Sequence, residues 1–199
     1  LALTEAGRVL HLHAQRLFAV EQAAEAALEQ LQGLERGQLA LGASQTIGTY
    51  LLPPLLGQFH QQYPGIRLSL EIANTQAVLE ALHMQELDFA VVEGPVNHEE
   101  FTVTRWRNDR LVVILPPDHH LIGQQSVTLD QLAAEPYVQR ESGSGTRIMV
   151  ERVFQNRGLE LNIAIELSSN QAVKQAVSAG LGISIVSIAT IALEAATNS

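Results

Sequence analysis

The chain contains no cysteine. Disulfide frameworks, thiolate metal sites and cysteine nucleophiles are therefore excluded, and a reducing cytoplasm fits. Lysine is almost as scarce, Lys174 being the only one. The chain has 12 basic side chains against 21 acidic ones, for a formal net charge of −9, and no run of Lys or Arg. These residues lack the basic patch that neutralises phosphates, so direct nucleic-acid binding by them is not expected. No apolar run reaches about 20 residues, and no basic-then-apolar signal peptide precedes the first domain. Leu1 stands where an initiating methionine would, which implies that residues precede it. What the sequence does hold is 46% apolar residues over 199 positions, enough for the cores of one or two domains.

Proline is absent from about Thr4 to Leu34, and that stretch predicts one long helix. Thr4 is placed to cap it and Glu5 to face the positive end of its dipole. Leu10, Leu17, Ala24 and Leu31 recur at sevens, and His13, Val20, Ala27 and Leu34 form the offset series. Together they make a narrow a/d seam, broken at His13, of the kind that pairs with a second helix. The alternative is an amphipathic helix lying on its own domain. Gly33 and Gly37 end this segment. Strands are then expected at Gln38–Ala43, Arg67–Ala73, Phe89–Val92 (buried), Thr102–Arg107 and Leu111–Leu115. Helices are expected at Ile47–Gln62, interrupted by Pro53–Pro54, and at Gln76–Met84. Pro116–Pro117 is the expected hinge to a second block. That block has strands at Tyr137–Arg140, Asn162–Leu167 and Ile183–Val186. Its helices fall at Leu129–Ala133, Thr146–Asn156, Asn170–Ala179 and Ile188–Ala195. Alternating strands and helices imply an α/β fold of two Rossmann-like lobes, residues 37–116 and 117–194, after a linker region 1–36. Two such lobes suit a ligand cleft.

Two strand-to-helix junctions are rich in small hydroxyl residues: Ser44-Gln45-Thr46, and Ser142-Gly143-Ser144-Gly145-Thr146 followed by Arg147. Unpaired N–H groups at a helix start hold anions, glycine lets the backbone approach closely, and hydroxyls add donors. The same residues are also ordinary helix caps. Arg140 and Arg147 are candidate oxyanion clamps, although Arg147 and Glu151 also form an i,i+4 pair. Glu93 and Gly94 close the Phe89–Val92 strand, and a carboxylate there opposes an anion. Asn170 begins another helix and serves either as ligand or as cap. Enzyme signatures fail. Gly42-Ala43-Ser44-Gln45-Thr46 ends in Thr where a nucleophile elbow needs Gly. Gly143-Ser144-Gly145-Thr146-Arg147 lacks the Gly-Lys-Ser/Thr of a P-loop. The seven histidines show no metal-ligand spacing with acids, and His119-His120 reads as a solvated turn. No metal, cofactor or catalytic residue is expected.

Several stretches together resemble the LysR-type bacterial transcription regulators. Leu3-Thr4-Glu5-Ala6-Gly7 looks like the close of their winged helix-turn-helix. Ala43-Ser44-Gln45-Thr46-Ile47-Gly48-Thr49-Tyr50-Leu51-Leu52-Pro53 is similar to the opening of their effector domain. Phe59-His60-Gln61-Gln62-Tyr63-Pro64, Leu87-Asp88-Phe89-Ala90-Val91-Val92 and Ala179-Gly180-Leu181-Gly182-Ile183 follow in the family's order. Asn74-Thr75, Val92-Glu93-Gly94-Pro95 and Arg140 to Arg147 resemble the subgroup regulating sulfur assimilation and carbon fixation, which usually has Pro where Ser142 stands. The resemblance implies a dimerising linker helix and a fold like the type II periplasmic binding proteins. It implies a homodimer or tetramer in the cytoplasm that touches DNA only through a missing N-terminal domain, with residues 195–199 as a truncated tail. It places a small effector, a small oxyanion such as sulfate or sulfite, against Ser44, Thr46, Glu93 and Ser144. A solute-binding protein of a transporter is the rival reading, and an enzyme on a two-lobed fold is a second.

Overall fold

The computed structural model describes residues 4–30, 37–96, 99 and 101–192. Its first helix, α1 (Glu5–Gln30), starts as expected: the Gly7 amide donates to Thr4 Oγ1 at 3.1 Å. The chain then forms two compact units, Leu1–Val92 and Glu93–Ser199.

In the first unit β1 (Gly37–Ser44) is central, with β2 (Ile66–Ala73) and β3 (Phe89–Val91) parallel on either side. A π-helical turn, Ile47–Leu51, leads into α2 (Leu52–Gln62), and α3 (Thr75–His83) joins β2 to β3. In the π turn the Leu52 amide bonds to the Ile47 carbonyl, five residues back. Pro53 and Pro54 follow at the first turn of α2, where their missing N–H groups are tolerated. Side chains of β1 alternate between two cores. Ala43 packs with Ile47 and Leu52 on one face, while Val78, Ala81 and Leu87 close over Ala40 on the other. Phe89 departs from the expected buried strand: β3 is a sheet edge, and Phe89 is 43% exposed.

In the second unit β5 (Pro136–Arg140) pairs in parallel with β6 (Asn162–Leu167). A bridge from Tyr137 to Ile183 leads to β7 (Ser184–Ser187), which pairs antiparallel with β4 (Leu111–Ile114). Tyr137 faces a core with α4 (Leu129–Ala134) and α5 (Gly145–Gln155), through Leu132, Val150 and Phe154. Val138 faces the opposite core, with Val173, Ala176 and Val177 of α6 (Asn170–Ser178). A buried apolar side chain of this size contributes about 1.5–3 kcal/mol.

Three expectations change. The boundary falls after Val92 and not at Pro116, because β4 pairs with β7. Thr102–Arg107 is no strand: residues 102–110 are exposed and have no ladder partner among the described residues, and β propensity without cross-strand packing does not make a strand. The last helix begins as a 3-10 turn, Ile188–Ile191, and the rest of that expectation lies outside the described residues. Among the described residues no helix is long and apolar enough to cross a membrane.

Candidate functional site

Each unit builds one of the two expected junctions. In the first, β1 ends at Ser44, and Thr46 stands at the start of the π turn without a side-chain cap bond. Both hydroxyl residues are buried, and Gln45 is half-buried between them. Register pairs Ser44 with Ala73, so the next junction lies at the same carboxyl edge of the sheet. There Asn74 accepts from the Ala77 amide at 2.9 Å as the cap of α3, and Thr75 is buried. Thr75 was not among the expected site residues, although the strand-to-helix pattern that marked Ser44 marks it as well.

In the second unit the turn after β5 carries Ser142, Gly143, Ser144, Gly145 and Thr146 into α5. Ser144 is the cap, accepting from the Arg147 amide at 3.4 Å, and Ser144 and Thr146 are buried. Glu93 comes to the same helix start, where Thr146 Oγ1 donates to Glu93 Oε2 at 2.6 Å. A carboxylate of the chain itself thus faces the positive end of α5. While this bond holds, Thr146 spends its hydroxyl proton on Glu93 and offers a ligand only lone pairs. Gly94 stands against Gly145: a Cβ there would lie 3.4 Å from the Gly145 Cα.

Both arginines are occupied. Arg140, buried, donates Nε and one terminal nitrogen to the two oxygens of Glu141 at 2.7 and 2.9 Å, and the other nitrogen to Asn170 Oδ1. Arg147 donates to Glu151 at 2.8 Å, to Glu166 at 2.6 Å and to the Arg140 carbonyl at 3.1 Å. Burial acts to lower the Arg147 pKa, but hydrogen bonds to Glu151 and Glu166 outweigh it and raise the value. The i,i+4 pair with Glu151 is therefore present, joined by Glu166 from β6. Asn170 is not the cap of α6. Ser169 fills that role, accepting from the Ala172 amide at 3.1 Å. The two guanidiniums here meet three carboxylates, Glu141, Glu151 and Glu166, and Glu93 adds a fourth negative group through Thr146, so an anion at this turn would find neutral donors and two cations already paired. A shallow, partly open recess of about 10 Å³ lies between β5 and α5, walled by Tyr137, Gln139, Arg140 and Thr146 among others.

A parallel-stranded α/β scaffold with hydroxyl-rich helix starts at its strand ends is the construction of an effector-binding domain. The LysR substrate binding domain family matches residues 32–198, and the chain belongs to it. The transcriptional activator CmpR of Synechocystis is 41% identical over 192 residues, which are 96% of this chain and 63% of that protein. The RuBisCO operon transcriptional regulator of Allochromatium vinosum is 38% identical over 195 residues, 98% of this chain and 64% of its own. This chain therefore spans slightly less than two thirds of either relative. The regulatory domain of Synechocystis CcmR, solved in complex with 2-PG, superposes with a TM-score of 0.72 at 36% identity, covering 78% of this chain and 74% of that one. The chain is a LysR-type effector-binding domain, similar to regulators of carbon fixation. Nothing in these likenesses points to a transporter.

Proposed function

We propose that this chain is the effector-sensing and dimerising part of a cytoplasmic LysR-type transcription regulator, and that its effector is a small oxyanion. One observation carries the reading. Each unit, taken alone, ends a parallel strand in a pair of buried hydroxyl residues at a helix start: Ser44 with Thr46, and Ser144 with Thr146. Such turns hold anions through backbone N–H groups and the serine hydroxyls, Thr146 having committed its hydroxyl proton to Glu93, which matches arginines already committed to carboxylates. Ser142, Gly143, Gly145, Arg147 and Asn170 shape the second turn, and Gln45 the first. The likeness to a domain solved with 2-PG supports a small anionic effector. Binding biases a DNA-binding domain elsewhere in the full-length protein only if the effector prefers one conformational state.

Calorimetric titration with sulfate, sulfite, 2-PG and benzoate, and with Ser44→Ala and Ser144→Ala against the best of them, tests this. A lost neutral hydrogen bond costs about 1 kcal/mol, so each variant should bind about fivefold more weakly. Unchanged affinity in both variants would remove these turns from the site.

A further inference from the structure

The turn after β4 carries His119 and His120, and the fold brings them a third group. Thr128 starts α4 with a reciprocal capping box to Gln131, which fixes where that short helix begins. It ends at Glu135. His119 Nε2 lies 3.3 Å from Glu135 Oε2, and His120 Nε2 lies 3.1 Å from Glu135 Oε1. The imidazoles stack with centroids 4.5 Å apart, and the ligand atoms of all three residues lie within 4.8 Å of one another.

We propose that His119, His120 and Glu135 bind a divalent transition-metal ion of the zinc class. Tetrahedral zinc with metal–ligand bonds of about 2.0–2.2 Å spaces its ligand atoms about 3.3–3.6 Å apart. The two N···O separations run to different oxygens of Glu135, and each lies within a few tenths of an ångström of one such edge. A plain ion pair needs one imidazole and one carboxylate. Here two imidazoles turn their Nε2 atoms to the two separate oxygens of one carboxylate. His119 and Glu135 are only 12% and 17% exposed and form a wall, whereas His120 is 65% exposed, leaving an open side for entry and for water as fourth ligand. Two nitrogens and one oxygen suit zinc, nickel or copper better than magnesium or calcium. The Leu121 amide donates to His119 Nδ1 at 3.3 Å. A metal on Nε2 moves the ring proton to Nδ1, so this long bond must open, and the Leu121 amide reports binding.

The effector reading plays no part in this site, and its test is separate. Zinc chloride is titrated into the tag-free, chelator-treated 199-residue chain at about neutral pH, by calorimetry and by amide NMR. Saturable binding of one ion per chain is expected, with a shifted Leu121 amide. His120→Ala and Glu135→Gln, both near the surface, should each weaken it at least about tenfold, while His60→Ala should not. Absence of saturable binding, or less than a tenfold loss in either ligand variant, overturns the site.

Discussion

Tyr137 illustrates how a single side chain couples two strands to solvent conditions. It is buried between β5 and α5, and its hydroxyl oxygen accepts from the Ile185 amide at 3.3 Å. Burial pushes its pKa up to about 12, despite bonds to Ile185 and Ser184 that act to lower it. Between about pH 10 and 12 the unfolded chain has lost this proton and the folded one keeps it. Tyr137 therefore contributes its full stability below about pH 10 and loses it as pH rises through 12, a change of up to about 3 kcal/mol. Tyr137→Phe should cost about 1 kcal/mol at neutral pH, since the Ile185 amide loses its acceptor, and should show a flatter decline above pH 10. Urea unfolding of both proteins at about pH 7 and 11 measures the difference. Glu93 acts at the same scale. Its bond to Thr146 explains how a carboxylate is tolerated at the expected anion site: the start of α5 is complementary to it.

At the scale of elements, two glycines should respond with opposite signs to the same substitution. Gly182 precedes the buried Ile183, whose amide donates to the Pro136 carbonyl at 2.8 Å. Its φ is 149°, and an added Cβ would lie 2.3 Å from that carbonyl oxygen. Gly182→Ala must push β5 and the segment before β7 apart and should destabilise by at least about 2 kcal/mol. Gly57 lies within α2 with open space where a Cβ would go. Gly57→Ala should stabilise by about 0.5–1 kcal/mol through helix propensity. Denaturant midpoints for the pair decide both signs. The Ala179-Gly180-Leu181-Gly182-Ile183 motif was legible as a family mark, but its mechanical reason appears only with Pro136 beside it. Most elements were likewise legible, because prolines, caps and apolar periodicity are local. Thr102–Arg107 has strand-forming residues but no strand, because a strand needs a partner that no local pattern reveals. Glu135 was invisible to a search by spacing, being 15 residues from His120 and delivered by α4. The hydroxyl turns were legible as turns, and so was the Arg147–Glu151 pair; that Glu166 also reaches Arg147 and Glu93 reaches Thr146 was not, since β6 and the segment after β3 deliver them from elsewhere in the chain.

At the scale of the whole molecule the question is what α1 does. Leu10, Leu17 and Val20 are 70%, 66% and 62% exposed, and Ala24 is exposed beside them. Ala27's side chain and Leu31 lie outside the described residues. At about 100° per residue these exposed positions fall on one side of the helix, opposite Gln15 and Ala19. Gln15 donates to Glu86 at 2.9 Å, so α1 touches its own unit on the polar side and leaves the seam uncovered. This favours pairing with a second copy over the alternative of a helix lying on its own domain by its apolar face. In a two-fold dimer each seam residue counts twice. Burying Leu17 from both copies contributes about 4 kcal/mol at roughly 2 kcal/mol per leucine, which corresponds to about a thousandfold in dissociation constant. Leu17→Glu should therefore convert a dimer at micromolar concentration into monomer, as read by light scattering, with circular dichroism unchanged. Phe18→Glu removes a similarly exposed apolar side chain (59%) that points about 115° away from the centre of the seam, and it should leave the dimer intact. Equal loss of dimer in both variants would mean general stickiness of α1, and no loss in either would place self-association elsewhere on the molecule.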